Sequence, residues 1–126
     1  MITEKDYCDY ETCVALIELG FVGASPMIYK EGHLEKAPRN LWLTPRVAKA
    51  HGWTLGIHLY NAQKWLREKR NILIFPERNC FGWNCRLHWF ENNVERISYP
   101  CEDVSSYEEA LSEGIKEAIK KLKEEN

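Results

Sequence analysis

The sequence predicts an α+β fold in which a small, mostly antiparallel sheet of three to five strands packs against three main helices. Three observations carry this expectation. The segment Ser106-Tyr-Glu-Glu opens a strongly amphipathic C-terminal stretch. A second stretch, Leu59 to Arg70, repeats its apolar residues at helical spacing. Between them, Trp83, Cys85, Leu87 and Trp89 alternate with Asn84, Arg86 and His88, as a half-buried strand requires.

The first helix is expected over Cys8 to Gly20. Asp6 or Asp9 can cap it, acidic residues crowd its first turn, and Gly20 suits the left-handed position that ends a helix. Cys13, Leu16, Ile17 and Phe21 would form its buried stripe. Met27-Ile-Tyr-Lys reads as a strand, Glu31-Gly-His33 as a turn and Leu34-Glu-Lys36 as the returning strand. Thr44-Pro45 has the cap-then-proline form of a helix start, giving a short helix from Pro45 to about Ala50 closed by Gly52.

In the helix from Leu59 to Arg70, Leu59, Ala62, Trp65 and Leu66 share one face, while Tyr60, Gln63, Lys64, Arg67 and Arg70 make a basic, polar one. Ile72-Leu-Ile-Phe-Pro reads as a short strand entering the core. After the alternating strand, Glu91-Asn-Asn93 turns, and Val94 to Tyr99 returns with Ile97 and Tyr99 on one face before Pro100 ends it. In the last helix, Ser106 and Glu109 form a capping box. Tyr107, Leu111, Ile115 (or Gly114), Ala118 and Leu122 recur on one side, and Lys116, Lys120, Lys121 and Lys123 favour the negative end of the dipole.

At 126 residues, with 44% apolar and 29% charged residues, the chain suits one globular domain spanning residues 1–126. It contains no apolar run of roughly 18 residues, so no membrane partner is expected. The polar start Met1-Ile-Thr-Glu-Lys-Asp is unlike a signal peptide, and five cysteines are an odd number, so free thiols in the cytoplasm are expected.

The net charge of −2 conceals segregation. Met1–Tyr29 carries −4, Lys30–Arg86 carries +7 and Leu87–Asn126 carries −5. The basic middle also holds Trp42, Trp53, Trp65 and Trp83. Cations neutralise phosphates and exposed rings stack bases, so this interleaving suggests a nucleic-acid-associated accessory protein. Its candidate contacts are Arg39, Arg46, Lys49, Lys64, Arg67, Arg70, Trp42 and Trp53. Against it, the overall pI near 6.1 is low for a dedicated binder, and Trp is more often a core residue.

Chemistry has fewer anchors. Walker, dinucleotide, zincin, Cys-x-x-Cys and serine-elbow signatures are absent from the sequence. Cys80, Cys85, His88 and Cys101 could in principle supply a tetrahedral zinc set, but strand alternation sends Cys85 and His88 to opposite faces. Five cysteines and four histidines leave a thiol enzyme as a further alternative, with nothing local to mark a nucleophile. No catalytic residue and no cofactor are therefore expected. The leading expectation is a non-catalytic protein-interaction or accessory module, binding another protein or itself. A 12% aromatic content leaves rings to spare for such a surface.

Two segments, Ala62-Gln-Lys-Trp-Leu-Arg-Glu68 and Ser106-Tyr-Glu-Glu-Ala-Leu111, resemble those of small uncharacterised proteins of Bacteroides-type bacteria and their phages. The resemblance covers roughly the C-terminal half. It implies a phage- or mobile-element-derived accessory protein with a host or phage protein as partner, and it brings no activity.

Overall fold

The structure, a computed structural model, describes residues 4–124. The fold class is α+β: among the described residues six strands form two antiparallel three-stranded sheets, accompanied by four α-helices. The chain divides into two compact units, Met1–Ala62 and Gln63–Asn126, each holding one of the sheets.

In the first unit, helix α1 (Tyr10–Glu18) begins where the Asp9 carboxylate accepts the Thr12 N–H at 2.8 Å. It ends at Gly20, whose φ of 99° only glycine adopts freely. Strands β1 (Met27–Lys30) and β2 (His33–Lys36) form a hairpin. Its turn is Glu31-Gly32 alone, with φ of 52° and 81°, so His33 opens the returning strand instead of belonging to the turn. Helix α2 (Pro45–Ala50) starts on Thr44, whose hydroxyl accepts the Val47 N–H at 3.3 Å. Strand β3 (Thr54–Leu55) pairs with the other side of β1. With two residues it has no alternation to betray it in the sequence.

Cys8 and Cys13 tie this unit together. The Tyr29 hydroxyl donates to the Cys8 carbonyl at 2.6 Å, the Cys8 N–H donates to the Ile57 carbonyl at 2.8 Å, and the Cys13 sulfur accepts the Ile57 N–H at 3.3 Å. Both cysteines are fully buried with Leu16, Met27, Ile28 and Leu55.

Helix α3 (Leu59–Arg70) spans the division between the units. It stops at Asn71, in the left-handed region at φ 54°, where the Ile72 N–H reaches back to the Leu66 carbonyl. Strands β4 (Leu73–Asn79), β5 (Gly82–Glu91) and β6 (Val94–Val104) follow, in the spatial order β4-β5-β6. Asn92 and Asn93, both at positive φ, make the tight β5–β6 turn. Strand β6 does not end at Pro100 as the sequence suggests. It is an edge strand, where a missing N–H leaves no neighbour unpaired, so it runs on to Val104. The same reason lets β4, the other edge, pass through Pro76.

Helix α4 (Tyr107–Glu124) lies against one face of this sheet and buries Ala110, Leu111, Gly114, Ile115, Ala118, Ile119 and Leu122. Its start is capped by Ser106, which accepts the Glu109 N–H at 3.1 Å. The Glu109 carboxylate returns to the N–H and hydroxyl of Ser105, one residue earlier than a simple capping box would place it. At Gly114 a Cβ would meet the Cys85 sulfur at 2.5 Å and Ile74 Cγ2 at 2.6 Å, so the helix approaches the sheet where it has no side chain.

Candidate interaction surface

The second sheet is two-sided in chemistry. Cys85, Leu87 and Trp89 alternate inward on β5, joined by Ile72 and Ile74 from the β4 side. The register then fixes the opposite face. Leu73, Phe75 and Glu77 lie across from His88, Arg86 and Asn84, and Ile97 lies across from His88 on the other side.

On β6 an extra residue opposes Arg86 between the pairs Leu87–Ser98 and Cys85–Cys101. Tyr99 at this bulge continues the outward series begun by Ile97. The open face thus carries Phe75, Phe90, Ile97 and Tyr99, each between 37% and 60% exposed. Large apolar side chains left in water on one side of a regular sheet are what a protein contact surface requires.

Between these rings runs a ladder of contacts across all three strands. Glu77 holds Arg86 at 3.3 Å, and the Arg86 guanidinium sits 5.0 Å over the Phe75 ring. Phe75 meets the His88 ring edge-on at 5.3 Å, and His88 Nδ1 is 2.8 Å from a Glu95 carboxylate oxygen. The other His88 nitrogen, Nε2, is buried and has no hydrogen-bond partner. The ladder thus carries both an acid–base pair, Glu77 with Arg86, and a carboxylate held by an imidazole, Glu95 with His88.

The residues proposed from the sequence for nucleic acid are divided between the two units. Arg39, Trp42, Arg46, Lys49 and Trp53 lie in the first, and Lys64, Arg67 and Arg70 in the second. Trp42 is 67% exposed, whereas Trp53 is half-buried and stacks on His51 at 4.7 Å. Arg39, Arg46, Lys49, Lys64 and Arg67 are exposed and form no ion pair among the described residues. Arg70 lies 5.6 Å over the buried ring of Trp65. Lys49 and Trp53 also line a shallow cleft of about 260 Å³ with Tyr10, Val14, Ile17 and Glu18.

The four potential metal ligands do not converge. Cys80 is exposed at the β4–β5 turn, Cys85 is buried opposite Cys101, and His88 turns to the other face, towards Glu95. Among the described residues no group of three His, Cys, Asp or Glu side chains is placed to hold a metal ion. The buried thiols are also poor nucleophiles. Burial pushes the Cys85 thiol up to about 12, and burial with the nearby Glu113 raises Cys101. Cys8 is held well above its ordinary value by its contact with Cys13 and by burial.

The open face had only a partial signal in the sequence. Ile97 and Tyr99 are read onto one face there, but Phe75 is read as part of a core strand because its segment is uniformly apolar. The signal that finds it is pairing: a residue opposite outward-facing Arg86 must itself face outward.

No helix among the described residues is long and apolar enough to cross a membrane. No known family, curated protein or solved structure matches the chain.

Proposed function

We propose that the chain is a non-catalytic protein-interaction module and that its contact surface is the open face of β4-β5-β6. The observation that carries this reading is the placement of Phe75, Phe90, Ile97 and Tyr99 in solvent on one side of a sheet whose other side is covered by α4. Aromatic residues with an arginine among them make up the energetic centre of most protein interfaces. Such a surface costs solubility, which a binding role accounts for and a purely structural role does not.

A second reading, binding of single-stranded nucleic acid, is supported by exposed Trp42 and the unpaired cations of the same unit. It ranks below the first because Trp53 is already stacked on His51.

One experiment ranks the two. A photo-crosslinking amino acid is placed in turn at Phe90, Tyr99, Trp42 and Val22 in cells producing the chain. Val22, 77% exposed and outside both candidate surfaces, is the reference. Protein adducts at Phe90 and Tyr99, above the level at Val22, are the expected result. Adducts to nucleic acid at Trp42 with none at the sheet positions would reverse the ranking.

A further inference from the structure

We propose that the open face of β4-β5-β6 pairs with the same face of a second copy of this chain, forming a two-fold, sheet-on-sheet dimer. The inference rests on the reading of this face as a contact surface and names its partner.

Three features select a second copy. The first is charge. Glu77 with Arg86 puts both signs on the face 3.3 Å apart, and the Glu95 carboxylate lies 2.8 Å from the His88 ring nitrogen. A partner of one dominant sign gains nothing from such a face, whereas a two-fold copy presents the same mixture and can meet acid with base.

The second feature is the closure of the edges. The usual ways for a sheet to recruit a chain are adding a strand at an edge and covering a face. Both edge strands contain a proline, Pro76 in β4 and Pro100 in β6, which removes a donor from the row that an added strand would use. Each proline interrupts its edge at one point, which disfavours strand addition there and favours the face.

The third feature is area. The exposed parts of Phe75, Phe90, Ile97 and Tyr99 amount to about 400 Å² of apolar surface, taking about 200 Å² for each large side chain. A standard interface buries about 800 Å² per partner, including its polar rim. Glu77, Asn84, Arg86 and Glu95 form a polar rim that adds to this apolar area. Area alone does not fix affinity, and the dimer proposed is a reversible one with a dissociation constant on the order of micromolar, the weak end for an interface of this size.

Geometrically, the two sheets would stack about 10 Å apart with strands roughly 30° from parallel, as in aligned sandwiches. The strands are long enough for this, since the ten residues of β5 span about 33 Å. Ile97 and Tyr99, standing beside the Phe75–His88 pair, would enter the space between the sheets.

Sedimentation velocity on the purified chain over about 1–200 µM, the range that brackets a micromolar equilibrium, tests the proposal. The unmodified chain should pass from monomer to dimer within that range. Ile97→Arg and Phe90→Ser should each stay monomeric at the highest concentration with an unchanged circular dichroism spectrum and melting temperature. Both positions are exposed in the single chain, so their loss leaves its fold intact.

A chain that remains monomeric throughout overturns the pairing. So does a dimer that both variants leave undisturbed, because it would use another surface. If the chain is monomeric while crosslinks at Phe90 and Tyr99 still capture a different protein, the self-pairing falls and the contact surface stands. Absence of both fells the two together.

Discussion

Five cysteines sit in three environments, and burial alone separates their chemistry. Cys8, Cys13 and Cys85 are wholly buried, Cys101 is half-buried, and Cys80 is exposed at a turn. A thiol reacts through its thiolate, and burial in apolar surroundings disfavours that charged form. The rise of Cys85 to about 12 leaves almost no thiolate at pH 8. A colorimetric disulfide reagent at pH 8 should therefore titrate Cys80 at once, Cys101 slowly, and the remaining three only in denaturant. Rapid reaction of Cys85 in the native chain, read by mass spectrometry, would contradict this picture. The odd number of cysteines and the lack of a secretory start make free thiols the expectation from sequence, but do not tell which one is exposed. Cys80 differs from Cys85 only in standing outside the alternating strand, and that difference becomes visible once β4 and β5 are paired.

At the scale of elements, α4 and β5 interlock at one point. Gly114 has no side chain because Cys85 and Ile74 occupy that space. Gly114→Ala should favour the isolated helix by up to about 1 kcal/mol and yet destabilise the protein by about 1–3 kcal/mol through overpacking. Cys85→Ala removes one of the two clashing groups, so the double variant should recover part of that loss. Denaturant unfolding of the four proteins in the cycle measures this coupling, and strict additivity would show that the two sites do not touch.

The elements themselves were largely legible. Helices α2 and α3 occupy the segments their caps and periodicity mark, and α4 begins directly after Ser106. What misled was proline. Pro100 reads as a stop because a proline within a sheet removes a ladder bond, but on an edge strand that bond has no partner to lose. Edge position is a property of the whole sheet and cannot be read from one strand. Strand β3 is illegible in the sequence for another reason: two residues carry no period, and only their pairing with Ile28 and Tyr29 makes them a strand.

For the whole molecule, the sequence draws attention to a basic, tryptophan-rich middle, while the structure draws it to an apolar sheet face. The difference lies in what each can express. Charge segregation is visible along a chain, whereas Phe75, Phe90, Ile97 and Tyr99 are scattered over three strands and gather only after folding. On the proposed reading the rings of the open face are the main source of binding energy. Residue-resolved carbene footprinting tests this central claim most directly, comparing the chain in its native cell extract with the same chain purified and diluted below micromolar concentration. Phe81, 82% exposed, and Val22, 77% exposed, serve as references that should label equally in both. The account predicts that Phe90, Ile97 and Tyr99 are protected in the extract and labelled after dilution. Equal labelling of these three residues in both samples would contradict it.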